Sequence, residues 1–124
     1  MKEFRISLPN EPGQLARVGE ALGSRGVNIL TVAAFGDVNL VALVVDQEDI
    51  AREGLEELGL SFQEAELLTL NVPNRPGELS TFAKKLGDAN INIESIYLLE
   101  ASGEEAKVAL TVSDMAKAKQ VLGM

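Results

Sequence analysis

Three absences narrow what this chain can do. The sequence of 124 residues has no cysteine, no histidine and no long apolar run. Without cysteine it forms neither a disulfide nor a thiolate metal site, and without histidine it lacks the commonest general base and metal ligand. No phosphate-loop glycine pattern and no convergent pair of acids can be placed either. We therefore expect no enzyme activity, no metal and no cofactor.

Charge and hydropathy exclude further classes of partner. The net charge is −8 and the pI is near 4.5, which argues against nucleic acid because its phosphates need a basic surface. A membrane-spanning helix needs about 18 apolar residues in a row, and the sequence has no such run. The N-terminus alternates polar and apolar residues and lacks the apolar core of a signal peptide. We expect a cytoplasmic protein without nucleic-acid or membrane partners.

One stretch of seven residues occurs twice. It reads PNEPGQL at 9–15 and PNRPGEL at 73–79. Placing 9–35 on 73–99 without a gap gives 9 identities in 27 positions. Internal repeats of this kind indicate a structural unit that is written more than once. The sequence therefore predicts two domains, 1–66 and 67–124.

Hydrophobic patterns predict similar elements in both halves. Alternating apolar residues indicate strands, and apolar residues three or four apart indicate helices. The first half is expected to be β-α-β-β-α-β, and the second half β-α-β-β-α without a last strand. The junction 60–72 must hold both the last strand of the first half and the first strand of the second. The remaining predicted strands lie at 3–8, 27–35, 40–45, 91–99 and 107–112, and the helices lie at 12–25, 47–58, 79–89 and 115–122.

Turn and cap residues define the ends of these elements. Gly26 and Asn90 occupy equivalent positions, and both residue types enter the left-handed region at little cost, so both are expected to end a helix. Pro12 suits the first helical position, with Asn10 or Glu11 as the capping residue. Asp46 and Asp114 are expected to cap the second helix of each half. The second hairpin is expected to have a longer loop, at 102–105.

The missing last strand predicts an open sheet edge in the second half. Open edges are normally covered or paired. We expect a partner chain or the junction strand to cover this one, and the chain is predicted to form a homodimer.

The repeated motif resembles the ACT domain family. Both copies have Pro-Asn-x-Pro-Gly-x-Leu in the first strand–helix loop and Val/Ile-Asn-Ile at the start of the following strand. The resemblance covers nearly the whole chain as two copies. It implies an α+β, ferredoxin-like fold of tandem βαββαβ units, with antiparallel sheets, helices on one face and a second copy that lacks its last strand.

The resemblance also implies a regulatory module that binds a free amino acid. Such domains pair with their sheets side by side, and the ligand lies between the strand–helix loop of one copy and the Asn-Ile strand start of another. Transferred to this sequence, the ligand-binding residues are Asn10, Glu11, Pro12, Gly13, Gln14, Leu15, Asn28 and Ile29 in the first half, and Asn74, Arg75, Pro76, Gly77, Glu78, Leu79, Asn92 and Ile93 in the second.

The physical chemistry of these loops suits a zwitterion. A helix N-terminus offers unpaired N–H groups and the positive end of the helix dipole to a carboxylate. The loops differ most at Glu11 and Arg75. Either Arg75 or the loop amides would bind the carboxylate, and Glu11, Glu78 or a backbone carbonyl would bind the ammonium group.

Every one of these positions also has a purely structural interpretation. Pro-Gly after a strand is often only a tight turn, Asn28 and Asn92 can satisfy nearby backbone groups, and Glu11 and Arg75 can be solvent-exposed. Two functions therefore remain open: an amino-acid sensor that acts in trans on a metabolic enzyme or regulator, and an assembly module that oligomerises without a ligand.

Overall fold

The computed structural model describes residues 1–124, and they form two compact units, Met1–Glu66 and Leu67–Met124. In the first unit, the strands and helices run β1 Lys2–Ser7, α1 Gln14–Gly23, β2 Ile29–Phe35, a 3₁₀ turn Gly36–Val38, β3 Leu40–Val45, α2 Glu48–Glu57 and β4 Phe62–Glu66. The antiparallel sheet has the order β2-β3-β1-β4. This is the predicted β-α-β-β-α-β unit.

The core of the first unit lies between the sheet and its two helices. Apolar residues alternate along β1, so they share one face of the strand, and they pack against the apolar stripes of α1 and α2. Fully burying one such side chain stabilises the fold by about 1.5–3 kcal/mol. Among the residues of this core, those that are at most 1% exposed are Phe4, Ile6, Val18, Leu22, Leu43, Ala51 and Leu55.

The second unit has the same order but no fourth strand. Its elements are β5 Leu68–Pro73, α3 Glu78–Asp88, β6 Ile93–Ser102, β7 Glu105–Val112 and α4 Met115–Val121. The antiparallel sheet has the order β5-β7-β6. A separate core, centred on Phe82, Leu86 and Leu110, packs this sheet against α3 and α4. The predicted α+β, ferredoxin-like fold, including the missing strand, is confirmed.

The helix ends agree with the sequence at three positions. Gly26 and Asn90 adopt left-handed φ angles of 76° and 61°. The Asp114 side chain accepts the backbone N–H of Lys117 at 3.0 Å and so caps α4. The two left-handed residues satisfy the predicted C-terminal geometry of α1 and α3.

The predictions for the first turns of α1 and α2 were wrong. The N-cap of α1 is Gly13, not Asn10 or Glu11, and the helix begins at Gln14 rather than at Pro12. Gln47 is the N-cap of α2 and no side chain caps that helix. The carboxylate of Asp46 instead accepts the backbone N–H of Asn28 at 2.9 Å, because the two residues meet where β2 begins and β3 ends.

The predicted long loop in the second hairpin was also wrong. The extra residues extend the strands: β6 and β7 have 10 and 8 residues, against 7 and 6 in β2 and β3. Only Gly103 and Glu104 separate β6 from β7, with Gly103 at a φ of 67°. A glycine with positive φ permits this tight turn, so the ladder continues where the first unit has a 3₁₀ turn.

An ion-pair network ties α2 to β4 in the first unit. Arg52 donates to both carboxylate oxygens of Glu64, at 2.6 and 2.7 Å, and to Asp49 at 2.8 Å. The hydrogen bonds from Arg52 lower the pKa of Glu64 below its ordinary value. None of the four helices has both the length and the apolar composition of a membrane span.

Candidate functional site

The first turn of α1 begins at a glycine and has no side-chain cap. Gly13 adopts a φ of 87°, and no side chain accepts a hydrogen bond from the first backbone N–H groups of the helix. An L-residue with a side chain enters this conformation only with strain, which explains a glycine at this position. The N–H of Gln14 donates to the Glu11 carbonyl at 3.3 Å, so the other N–H groups of the first turn and the helix dipole remain available to an anion.

A pocket of about 160 Å³ lies beside this helix end. The strand–helix loop forms one wall, and the end of β2 and the start of β3 form the other. Both walls belong to the first unit. The lining residues are Leu8, Pro9, Asn10, Glu11, Gln14, Leu15, Ala34, Phe35, Gly36, Leu40 and Val41.

Four of the predicted residues line this pocket, namely Asn10, Glu11, Gln14 and Leu15. Their polar atoms are the Glu11 carboxylate and the amides of Asn10 and Gln14. Pro12 and Gly13 do not line the pocket, but they form the turn that ends at α1. The pocket thus combines one carboxylate, two side-chain amides and an apolar wall.

Asn10 is held against the turn between β2 and β3. Its backbone N–H donates to Oδ1 of Asn39 at 3.1 Å. Its side chain lies so close to Gly36 that a Cβ there would be 2.8 Å from Nδ2 of Asn10. Gly36 therefore leaves the room that the Asn10 side chain occupies at the pocket wall.

The structure does not bring Asn28 and Ile29 to the pocket of their own unit. Both residues lie at the start of β2, whereas the pocket lies at its end, near Phe35. The N–H of Asn28 donates to the Asp46 carboxylate, the N–H of Asp46 donates to the Asn28 carbonyl, and Ile29 packs against the core. Within the unit these two residues position the start of β2.

Asn92 and Ile93 occupy the equivalent place in the second unit. The backbone N–H of Asn92 donates to Oγ of Ser113 at 2.9 Å, and its carbonyl accepts the N–H of Ser113 at 3.0 Å. Ile93 pairs with Val112 and packs against the core of the unit. Asn92 and Ile93 therefore lie at the start of β6, and the turn Gly103-Glu104 lies at its other end.

The second strand–helix loop repeats the backbone of the first but not its chemistry. Gly77 precedes α3 with a φ of 90°, and α3 also lacks a side-chain cap. Nε of Arg75 donates to Oε1 of Glu78 at 2.6 Å. Glu78 is the first residue of α3, so its carboxylate also lies near the positive end of the helix dipole. Arg75 and Glu78 therefore form an ion pair with each other. The next residue, Leu79, is 62% exposed.

The cleft near this second loop lies in a different place. It has a volume of about 470 Å³ and lies at the end of β5, beside Glu104 and Glu105 at the turn into β7. Asn74 and Arg75 line it, but Pro76, Gly77, Glu78 and Leu79 do not. Asn74 is bound to the hairpin turn by a backbone bond to the Glu104 carbonyl at 2.8 Å and a side-chain bond to the Gly103 carbonyl at 3.3 Å.

The opposite wall of the first pocket was missed at the level of sequence. It consists of Ala34, Phe35 and Gly36 with Leu40 and Val41. Both β1 and β2 run antiparallel to β3, which lies between them. Their C-terminal ends therefore lie at the same end of the sheet. Applying that strand order to the predicted elements would have identified these residues.

Part of the chain is similar in sequence to a family of known proteins. Residues 2–58 match the ACT domain family. The match extends from β1 to the C-terminal end of α2 and contains every residue of the pocket. ACT domains are regulatory domains, and the match indicates no catalytic family.

Solved structures share the fold over nearly the whole chain. A protein from Bacteroides thetaiotaomicron aligns with a TM-score of 0.86 and 27% identity, over 98% of this chain and 85% of that one. The ligand-free regulatory subunit of aspartate kinase from Thermus thermophilus aligns at 0.68 and 19%, over 98% and 90%. The corresponding subunit from Thermus flavus aligns at 0.66 and 18%, over 98% and 88%. No curated protein sequence matches the chain.

Proposed function

We propose that this chain is a regulatory module that binds a free amino acid in the pocket of its first unit. It would act in trans on a metabolic enzyme or regulator. The ACT match over residues 2–58 supports a regulatory role, and the fold shared with regulatory subunits of aspartate kinase agrees with it. We propose further that the second unit, which has the same element order and loop motif, is a second ACT copy.

One observation carries the ligand proposal. The uncapped N-terminus of α1 and the carboxylate of Glu11 lie at the same pocket. An α-amino acid carries a carboxylate and an ammonium group on adjacent atoms, so its site needs an anion-binding and a cation-binding group close together. The first-turn amides of α1 would bind the carboxylate, and Glu11 would bind the ammonium group.

The size of the pocket supports a small ligand. Drug-sized ligands occupy pockets of about 300–1,000 Å³, and this pocket has about 160 Å³. Its apolar wall, with Phe35 and Ala34, would contact the side chain of the amino acid. A small or medium apolar side chain therefore fits this wall better than a charged one.

Arg75 is not part of this proposal. Its guanidinium group is bound to Glu78, and neither side chain lies at the first pocket. The alternative in which Arg75 binds the ligand carboxylate would require this ion pair to open. The proposal therefore assigns the carboxylate to the amides of α1.

Thermal unfolding in the presence of each of the twenty amino acids tests the proposal. A ligand that binds only the folded state raises the melting temperature by mass action, by the equivalent of about 2.7 kcal/mol at 100 times Kd. We expect a shift with at least one apolar amino acid. If none of the twenty shifts the transition, free amino acids are not the ligand.

A second candidate function is an assembly module that oligomerises without a ligand. Three large apolar side chains of the edge strand β2 favour it, because Leu30, Val32 and Phe35 are 42%, 50% and 52% exposed. Exposed apolar residues on one edge are typical of an interaction surface. Self-association as a homodimer is compatible with both functions. Concentration-dependent association without any amino-acid shift would favour this candidate.

A further inference from the structure

Asn39 joins the two walls of the first pocket. Its backbone carbonyl accepts the N–H of Leu8 at 2.9 Å, and its Oδ1 accepts the N–H of Asn10 at 3.1 Å. Leu8 and Asn10 line one wall, and Leu40, the residue after Asn39, lines the opposite wall. Asn39 itself is not part of the lining. It therefore acts on the residues that form the pocket and not on a molecule inside it.

The backbone of Asn39 has a conformation that few residues with a side chain adopt. Its φ of 53° and ψ of 42° lie in the left-handed region, at the end of the 3₁₀ turn Gly36–Val38. The only other non-glycine residue with a positive φ is Asn90. Because glycine enters this region at the lowest cost, backbone geometry alone would favour glycine at position 39. Asparagine adds a side-chain acceptor, and that acceptor is the Oδ1 bound to Asn10.

The second unit holds its strand–helix loop without such a side chain. Asn74 is the counterpart of Asn10 at the repeat spacing of 64 residues, and its backbone N–H donates to the Glu104 carbonyl at 2.8 Å. The left-handed residue of that turn is Gly103, whose carbonyl accepts the Asn74 side chain at 3.3 Å. Asn74 is thus held by backbone acceptors, whereas the N–H of Asn10 depends on one side-chain oxygen.

The bond between Asn10 and Asn39 crosses from the loop to the opposite wall. Other hydrogen bonds of the loop are local, since the N–H of Glu11 donates to the Pro9 carbonyl at 2.9 Å and the N–H of Gln14 donates to the Glu11 carbonyl at 3.3 Å. These local bonds shape the loop but leave its distance from the opposite wall free. The Asn39 side chain therefore limits how far Glu11, the residue after Asn10, can move from that wall.

We propose that Asn39 is a positioning residue of the amino-acid site, whose side chain holds the Asn10-Glu11 segment at the distance from the β2–β3 turn at which the ligand fits. This proposal rests on the ligand site proposed above. Without the Asn39 acceptor, the ligand itself would have to order the loop, and that ordering lowers the affinity. Because the bond is exposed and joins uncharged groups, we expect its loss to weaken binding about 3- to 10-fold.

Substitutions at position 39 separate the side chain from the backbone conformation. Asn39→Gly removes the acceptor but enters the left-handed region easily, so it should stay folded with a nearly unchanged melting temperature. Calorimetric titration with the twenty amino acids, one at a time, should show the 3- to 10-fold loss in this variant. Asn39→Asp keeps an oxygen acceptor in a residue that tolerates the same conformation, so it should restore the affinity.

Asn90→Gly is the matched control. It makes the same substitution at the other left-handed asparagine, which follows α3 in the second unit and does not line the pocket. We expect it to leave the affinity unchanged. An equal loss of affinity in Asn39→Gly and Asn90→Gly would overturn the proposal, because the effect would then not depend on the bond to Asn10.

Amide hydrogen exchange without any amino acid present measures the bond itself. The N–H of Asn10 should exchange faster in Asn39→Gly than in the wild type, and more slowly again in Asn39→Asp, because a hydrogen bond must open before its amide exchanges. The N–H of Asn74 is the internal control, since it is bound to a backbone carbonyl of the second unit. Unchanged exchange of the Asn10 amide in Asn39→Gly would overturn the proposal.

The titrations also separate this proposal from the proposed function. If the wild type binds an amino acid and Asn39→Gly binds it equally well, the role of Asn39 is overturned and the ligand site stands. If none of the twenty amino acids binds the wild type, the ligand site fails, and the role of Asn39 fails with it whatever the exchange rates are.

Discussion

Glu11 carries the only formal charge in the lining of the first pocket. A hydrogen bond to a charged group contributes about 1.5–3 kcal/mol. If Glu11 binds the ammonium group of the ligand, Glu11→Gln should lower the affinity roughly 10- to 100-fold, which calorimetry measures. Arg75→Ala serves as the control, because Arg75 is bound to Glu78, and it should leave the affinity unchanged. Equal losses in both variants would remove the distinction between the two loops.

Gly36 controls the position of Asn10 at the pocket wall. A Cβ at Gly36 would lie 2.8 Å from Nδ2 of Asn10, so Gly36→Ala must displace the Asn10 side chain. We expect ligand affinity to fall several-fold while the protein stays folded. Gly23→Ala is a matched control, since a Cβ at Gly23 has no neighbour within 4 Å and Gly23 does not line the pocket. An unchanged affinity in Gly36→Ala would show that Asn10 does not contact the ligand.

Only one side of the pocket could be predicted from individual residues. Asn10, Glu11, Gln14 and Leu15 were found because a repeated motif marks them. Phe35 belongs to no motif, and it reaches the site through strand order alone. Contacts between residues distant in sequence depend on which strands pair and in which direction. The contact of Phe35 with this site can be predicted only once β1 and β2 are known to end at the same end of the sheet.

At the scale of one element, α1 offers two glycines with opposite requirements. Gly13 has a φ of 87°, whereas Gly19 lies inside the helix, and neither has a neighbour within 4 Å of an added Cβ. Gly13→Ala should therefore destabilise the protein by about 1–2 kcal/mol, because an L-residue is strained in the left-handed region. Gly19→Ala should stabilise it by about 1 kcal/mol through helix propensity.

Urea unfolding measures both changes as shifts of the midpoint at a constant m-value. A stabilising Gly13→Ala would mean that α1 begins in another conformation.

The Arg52–Glu64 pair between α2 and β4 makes part of the stability depend on pH. The hydrogen bonds from Arg52 lower the pKa of Glu64 in the folded state. A carboxyl group with a lowered folded pKa stabilises the fold above its unfolded pKa of about 4.3, and this contribution is lost as pH falls through the folded pKa.

Glu64→Gln should therefore reduce the loss of stability on acidification below about pH 4.3. Melting temperatures from pH 7 to 3 measure the effect. Glu53→Gln is the control, because Glu53 is an exposed residue of α2 that forms no ion pair. The same pH profile for both variants would assign the acid sensitivity to other groups.

The order of the elements could be predicted, but some of their ends could not. Periodicity and the repeat identified the strands and helices, and the left-handed caps Gly26 and Asn90 followed from residue chemistry. The start of α1 was misplaced because proline at a first helical position is common, yet here Gly13 makes the turn after it. Asp46 was assigned to a cap because capping is local, whereas its actual partner, Asn28, is distant in sequence.

For the whole molecule, the repeat does not make the two units equivalent. The first unit has four strands and a pocket at the end of β1, and the second has three strands and a cleft between the end of β5 and the turn into β7. The first loop offers an unpaired carboxylate at its pocket, whereas the second loop has the Arg75–Glu78 ion pair. The two units thus share an order of elements, but their loops and pockets differ in charge and shape.

This asymmetry predicts one amino acid bound per chain. Calorimetric titration of the wild type should give a stoichiometry near one, because only the first unit combines an uncapped helix end with a free carboxylate at a small pocket. Glu11→Gln should weaken that single site, whereas Glu78→Gln, at the equivalent helix of the second unit, should leave both affinity and stoichiometry unchanged. A stoichiometry near two, reduced to one by Glu78→Gln, would mean that the ligand opens the Arg75–Glu78 pair and that both loops bind it.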